Sequence, residues 1–350
     1  MTTAALSTSA FLKACRREPD GRTPVWFMRQ AGRYMPEYRA IRGKHTMLDL
    51  CATPELAARV TLQPVMTLGV DAAIIFSDIL LPFVPMGLEL EYVKGQGPVI
   101  HNPVRSARDV ERLHPVDVHE SLGYVADAVR MVTTELDGST PLIGFAGAPF
   151  TLASYAIEGG GSRHFKEAKR FMFSEPDAWH ALLGKFADIV ADLLLAQIEA
   201  GAAVVQLFDS WAGQLHPDDY RTLVFPHSRR ILERIASTGV PRIHFGVGTG
   251  ELLEQMRDAG ADVIGIDAST DLDTGWQRVG YDVAVQGNLD PVALFAPRDE
   301  LRKRVHAVLH KASGRAGHIF NLGHGILPET PVDNVRYVVD LVHEWENDRS

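Results

Sequence analysis

Three stretches, LGVDAAIIFSD at 68–78, AGAAVVQLFDS at 200–210 and AGADVIGID at 259–267, repeat one arrangement: a helical pattern ends on glycine, a small or acidic linker follows, and a β-branched run closes on an acid. Glycine after a helix supplies the left-handed C-cap, and a run of about four to seven apolar residues suits a strand buried on both faces. Each stretch therefore reads as a helix feeding a parallel strand that delivers a carboxylate at its carboxyl end.

Working outward, runs of the same kind at Val25–Met28, Pro141–Phe145, Arg242–Gly246, Asp282–Gln286 and His318–Asn321 bring the expected strands to eight. Helix starts with proline in the first turn stand between them at Thr53-Pro54-Glu55, Ser174-Glu175-Pro176-Asp177 and Thr330-Pro331-Val332-Asp333. Phe186, Ile189, Val190, Leu193, Leu194 and Ile198 follow the helical period and define one apolar face, and Pro64 is expected to kink the first long helix. The length of 350 residues fits either two domains or one barrel. Eight strand and helix units without a low-complexity linker favour an α/β fold, a single (β/α)8 barrel over residues 1–350, with a flexible tail at about 1–10. A dinucleotide fold would want G-x-G-x-x-G after an early strand, and Gly246-Val247-Gly248-Thr249-Gly250 does not match it. LELEYV at 88–93 and GPVI at 97–100, around Lys94-Gly95-Gln96-Gly97, read as a small hairpin carried on the barrel after its second strand.

Composition, at 46% apolar, 23% charged and 8% aromatic, is that of an ordinary globular chain. Ile79–Leu88 is the longest apolar candidate, is broken by Pro82 and Pro85, and reads as loop rather than a membrane span. The opening MTTAALSTSA lacks a charged region followed by an apolar stretch, so the chain is expected in the cytoplasm. Cys15 and Cys51 supply no disulfide framework and too few thiolates for a structural zinc site. The net charge of −9 argues against nucleic acid or an anionic membrane as the main partner. Lys13–His45 nevertheless carries nine cations against three anions, so an anionic ligand could be met there.

In a barrel, chemistry sits at the carboxyl ends of the strands. Those ends deliver Arg29, Gln30 and Arg33; Ser77 and Asp78; Gly147, Pro149 and Tyr155; Asp209 and Ser210; Gly246–Gly250; Asp267; Gln286 and Asn288; and Asn321 with Gly323-His324-Gly325. Arg29 and Arg33 could converge on carboxylate or phosphate oxygens, or lie at the surface with Glu37 as partner. Asp78 could cap the next segment or pair with arginine; it could equally accept N–H groups from a ligand or stabilise a cation formed during reaction. His324, between two glycines, suits proton transfer or anion binding, with a packed loop histidine as the plain alternative. For Gly246–Gly250, helix capping is preferred to a phosphate cradle, because no lysine follows and Glu251 would repel an anion.

PVWFMRQAGRYMPEYR at 24–39 and GFAGAPFTLASYAIEGGGS at 144–162 resemble the two signatures of the uroporphyrinogen decarboxylase family. FSDIL at 76–80, QLFDSWAG at 206–213, QGNLDP at 286–291 and FNLGHGILPETP at 320–331 continue the resemblance in the same order, from about Thr23 to Glu344. The resemblance implies a homodimeric (β/α)8 enzyme without metal or organic cofactor, which removes CO2 from four acetate side chains of uroporphyrinogen III to give coproporphyrinogen III. It further implies that Arg29 and Arg33 meet substrate carboxylates, with Arg29 a proposed proton donor, and that Asp78 gathers the pyrrole N–H groups. Tyr155, Ser210 and His324 match the remaining polar contacts; Gln30 is grouped with the substrate-binding residues, and Asp78, Arg29 and His324 with the catalytic ones. Trp211 and Phe27 receive no role. Two other readings compete. Zinc-dependent methyltransferases of the same barrel superfamily need a His/Cys ligand set toward the carboxyl half, and beyond Cys51 the chain has no cysteine. A non-catalytic tetrapyrrole-binding protein would keep the same cleft without turnover.

Overall fold

The computed structural model describes residues 8–19 and 21–345. In chain order its strands are β1 (Ala73–Ile74), β2 (Leu90–Val93), β3 (Gly97–Ile100), β4 (Leu142–Gly147), β5 (Val204–Asp209), β6 (Arg242–Gly246), β7 (Val263–Gly265), β8 (Ala284–Gln286) and β9 (His318–Ile319). Seven of them form one parallel sheet in the order β1-β4-β5-β6-β7-β8-β9, so sequence order is kept and a helix lies between each neighbouring pair. The remaining two, β2 and β3, pair antiparallel from Leu90 opposite Ile100 to Val93 opposite Gly97. Gly95 and Gly97, at φ of 83° and 85°, supply the left-handed positions that this turn needs.

The sheet curls. Gln286 Nε2 on β8 donates to Gln206 Oε1 on β5 at 3.1 Å although two strands separate them, so both side chains must lie on a concave face. Register extends that face. Phe145, Gln206 and Ile243 stand level, as do Gly147, Phe208 and Phe245, whereas Leu207 and His244 point outward toward the helices. The helix Pro176–Glu199 covers the outside with Phe186, Ile189, Val190, Leu193 and Leu194 buried, as the period indicates. Its buried Gln197 exchanges two hydrogen bonds with the backbone of Phe145, at 2.8 and 3.0 Å.

Eight strands are expected from sequence and seven enter the sheet. Of Val25–Met28 only Val25 pairs, in a parallel bridge to Phe320, while its carbonyl accepts from Asp71 N at 2.8 Å. The physical reason lies in the side chains that follow: Phe27 N donates to Gln30 Oε1 and Met28 N to Asn321 Oδ1, so these amides leave the ladder. Val25 thus sits between the two ends of the sheet. The Asp71 carboxylate holds it there, accepting from Val25 N at 2.8 Å and pairing with Arg22 and with His343 of the helix Val332–His343.

Two of the three proline-marked helices begin on their proline, at Pro54 and Pro176, while the third begins at Val332 with Pro331 as its N-cap rather than in its first turn, and none has a side-chain N-cap bond. In the first two, proline's fixed φ rather than a capping hydroxyl starts the helix. Pro64 lies inside a helix that runs on to Leu68. Ile79–Leu88, expected as loop, contains a helical turn at Phe83–Met86 that ends on Gly87 at φ 96°. Of the expected N-terminal tail, residues 1–7 lie outside the described residues, and Ser9 caps the helix Ala10–Cys15 by accepting from Leu12 N. Among the described residues no helix is long and apolar enough to cross a membrane.

Candidate active site

Polar side chains collect at the carboxyl ends of the parallel strands. The turn after Val25 carries Arg29 in the left-handed region, at φ 63°, a conformation that costs a non-glycine residue about 1 kcal/mol or more. Gln30 enforces it. Its side chain is fully buried, accepts from Phe27 N at 3.0 Å and donates to Ala72 O at 2.9 Å. Gln30, expected to touch a ligand, therefore has no side-chain surface left to do so; it fixes the turn that presents Arg29 and Arg33. Both arginines are exposed, and among the described residues neither forms an ion pair, with Glu37 or any other acid.

Asp78 lies opposite them, beyond β1. Its Oδ1 accepts from Leu80 N at 2.8 Å, so the capping role open to it in sequence is filled by one oxygen. Burial pushes its carboxyl above the ordinary carboxylate value, against the opposing pull of Tyr92, the Leu80 amide, Arg29 and Arg33. A carboxylate that costs desolvation and makes no ion pair is poorly explained by stability alone. Tyr92, on β2, escaped the sequence reading. Its buried hydroxyl faces Asp78 without completing a hydrogen bond of ordinary geometry, and burial first, then Asp78, pushes its pKa well up. The only sequence signal was an aromatic residue midway along the hairpin. The hairpin itself is locked to the next site element by Ile100 N donating to Gly159 O and by the Val99–Gly160 bridge.

Gly159 ends the helix Pro149–Glu158, which carries Tyr155. Burial and the nearby Asp78 push the Tyr155 hydroxyl up to about 12, so it stays a protonated donor and acceptor. Its ring packs on Trp211 at 4.0 Å between centroids, and Phe165 also packs on Trp211, at 4.8 Å. Trp211, to which sequence assigned nothing, thus backs Tyr155. Ser210, half-buried at the end of β5, is carried beside it. Phe27 is fully buried in the core.

His324 closes the ring of side chains from the loop after β9. Its Nδ1 accepts from Gly325 N at 2.6 Å, which leaves the proton of the neutral imidazole on Nε2. Burial, followed by repulsion from Arg29, lowers its pKa below 6.5, with Asp267 opposing. Gly325 is required by that neighbour: a Cβ there would stand 2.5 Å from Arg29 Cδ and 2.8 Å from Cγ. The Arg29 side chain therefore lies along bare backbone next to His324.

The other polar strand ends serve the scaffold. Asp267 accepts from Gly248 N at 2.7 Å and from Ser269 and Thr270, so a carboxylate already takes an amide that a phosphate cradle would use, and the helical turn Gly250–Leu252 that follows has no side-chain cap bond. Asn288 donates to Asp267 O and Thr270 O, and Asn321 Oδ1 receives Met28 N and Leu322 N. Among the described residues no three His, Cys, Asp or Glu side chains converge where they could hold a metal ion. Both cysteines are buried, and burial, then Asp78, pushes the Cys51 thiol up.

Two guanidinium groups without an ion-pair partner among the described residues, a desolvated carboxylate, an imidazole and a tyrosine thus come within electrostatic reach of one another. The chain is similar in fold to a methyltransferase from Methanosarcina mazei at a TM-score of 0.80, with 21% identity over 97% of this chain and 98% of that one, a likeness of fold alone. A protein of Sorangium cellulosum named uroporphyrinogen decarboxylase is 63% identical over 95% of both chains. One of Chloroflexus aggregans with the same name is 55% identical over 96% of this chain and 95% of its own. The family model for uroporphyrinogen decarboxylase matches residues 6–345, and the chain belongs to the uroporphyrinogen decarboxylase family.

Proposed function

We propose that this chain is a decarboxylase of tetrapyrrole biosynthesis that converts uroporphyrinogen III to coproporphyrinogen III. It removes four acetate carboxyl groups as CO2 and draws its electron sink from the substrate. The observation that carries this reading is Asp78: a carboxylate held above its ordinary pKa, with no ion-pair partner among the described residues, facing unpaired Arg29 and Arg33. A proton added to the pyrrole carbon next to the one that bears the acetate makes an iminium-like cation, with positive charge on the acetate-bearing carbon. The C–CO2 bond then breaks, its electron pair neutralises the cation, and CO2 leaves. A second proton reaches the exocyclic carbon as the ring proton departs, so each acetate and one proton become a methyl group and CO2.

Asp78 accepts the pyrrole N–H groups and stabilises the cation where it forms. Arg29 and Arg33 hold carboxylates, and proton delivery falls to the Arg29–His324 edge of the cleft. Tyr155 and Ser210 position the macrocycle. Gln30 acts only through the turn it fixes. Val25–Met28 serves as the eighth stave of a closed (β/α)8 barrel that forms one domain and carries the β2–β3 hairpin; the bonds of Val25 to both sheet ends support this. A homodimer in the cytoplasm completes the reading, with sedimentation expected to report twice the 38.5 kDa chain.

The test is incubation with uroporphyrinogen under reducing conditions and chromatographic separation of products. Stepwise loss of carboxyl groups down to the four-carboxylate product is expected. Retention of the substrate, bound but unchanged, would favour a tetrapyrrole-binding protein instead.

A further inference from the structure

Behind Tyr155 and Ser210 lies a cluster of polar groups that the proposed chemistry does not use. Thr151, Asp209, Tyr220, Ser228 and His244 are each fully buried. Thr151 stands one helical turn before Tyr155 on the helix Pro149–Glu158. Its hydroxyl donates to Asp209 Oδ1 at 3.1 Å and accepts from Trp211 N at 3.3 Å. The other oxygen, Asp209 Oδ2, has no hydrogen-bond partner and lies 3.9 Å from His244 Nε2; both ring nitrogens of His244 and the hydroxyls of Tyr220 and Ser228 also lack partners.

Stability is a poor explanation for this cluster. A buried carboxylate with incomplete partners is commonly replaced by apolar side chains without loss. What the cluster does fix is relative placement. The Thr151 hydroxyl joins the helix that carries Tyr155 to the loop that carries Ser210 and Trp211, and Trp211 in turn packs on the Tyr155 ring at 4.0 Å.

We propose that Thr151, through the Asp209 carboxylate and the Trp211 amide, is a positioning residue that sets the Tyr155–Ser210 wall of the substrate cleft. The inference rests on the decarboxylase reading for its kinetic consequence but not for its structural one. Because Tyr155 and Ser210 hold the macrocycle alike before and during reaction, loosening the wall removes uniform binding: KM rises while kcat is kept.

Thr151→Val removes the hydroxyl at nearly constant shape. Its KM for uroporphyrinogen is expected to rise about tenfold with kcat within about twofold, and Thr151→Ser is expected to restore KM. Hydrogen–deuterium exchange of the substrate-free protein should show faster exchange concentrated at 208–214 in the valine variant, with a lowered melting temperature, because the buried Asp209 carboxylate and Trp211 amide lose their Thr151 partner. Thr151→Ala serves the same comparison if valine impairs folding. Unchanged KM and unchanged exchange in the valine or alanine variant, or a serine variant as impaired as valine, would overturn the proposal. If the parent does not consume uroporphyrinogen, the decarboxylase reading fails, and the exchange measurement still decides whether Thr151 holds the wall.

Discussion

Burial raises the pKa of Asp78 above its unfolded value, so the folded chain binds this proton more tightly than the unfolded chain does. The ionised carboxylate therefore opposes folding once the pH exceeds the unfolded carboxylate range, and removing the charge should not cost stability. Asp78→Asn is expected to lower kcat by about 10²–10³-fold, as loss of a preorganised stabiliser does, while its melting temperature at pH 7 equals or exceeds the parent's. A variant that retained near-parental turnover would end the cation-stabilising role. His324 has the opposite sign: its proton is lost below the ordinary 6.5, so the imidazole is neutral at pH 7 and stays so for some way below 6.5. If the neutral ring is the working form, kcat should hold from pH 7.5 to about 6.5 and fall only at lower pH; that acid limb should change in His324→Asn. At this scale Arg29, Arg33, Asp78, Tyr155 and His324, picked out by motif and strand-end position, come within electrostatic reach of one another. The burial of Gln30, which depends on a backbone carbonyl 42 positions away, and the nearness of Tyr92 on the hairpin to Asp78 were not legible in sequence.

Helices and parallel strands were readable where local chemistry settles them: glycine after a helix, proline in its first turn, a β-branched run. Of the first expected strand only Val25 pairs, because Gln30 and Asn321, which lie outside Val25–Met28, take up the amides of Phe27 and Met28. Gln197 is a related case. On an apolar helix face it would be expected to weaken packing, yet its amide pairs with both the N–H and the C=O of Phe145, and a Cβ on Gly144 would come within 2.7 Å of its Oε1. Gln197→Leu leaves those two backbone groups buried without partners, at about 1–3 kcal/mol for each unsatisfied group. A total loss of about 2–6 kcal/mol is expected, read as a lower denaturant midpoint with unchanged slope. A loss below about 0.5 kcal/mol would mean that water or the backbone replaces the amide.

Over the whole molecule the charge reading changes most. The nine cations of Lys13–His45 look like one patch in sequence, but the chain crosses from one end of the sheet to the other within that segment. Arg16 and Arg17 line a cavity of about 390 Å³ with Arg242, Asp262 and Asp282 at the amino ends of β6, β7 and β8, and Arg22 pairs with Asp71. Arg29 and Arg33 emerge at the carboxyl ends, beside Asp78. The proposed substrate carries eight carboxylates, which the net charge of −9 opposes at long range while the two arginines attract it locally. Screening therefore acts on two opposed contributions. Long-range repulsion fades with added salt, and so does the attraction exerted by the two exposed guanidinium groups. If the local attraction governs encounter, kcat/KM should fall several-fold as ionic strength rises from about 20 to about 300 mM, where the Debye length shortens from roughly 20 to roughly 6 Å. The slope should flatten in Arg33→Gln. A rate that instead rises with salt would show that the global −9 dominates, and that the arginine pair acts only after the substrate has docked.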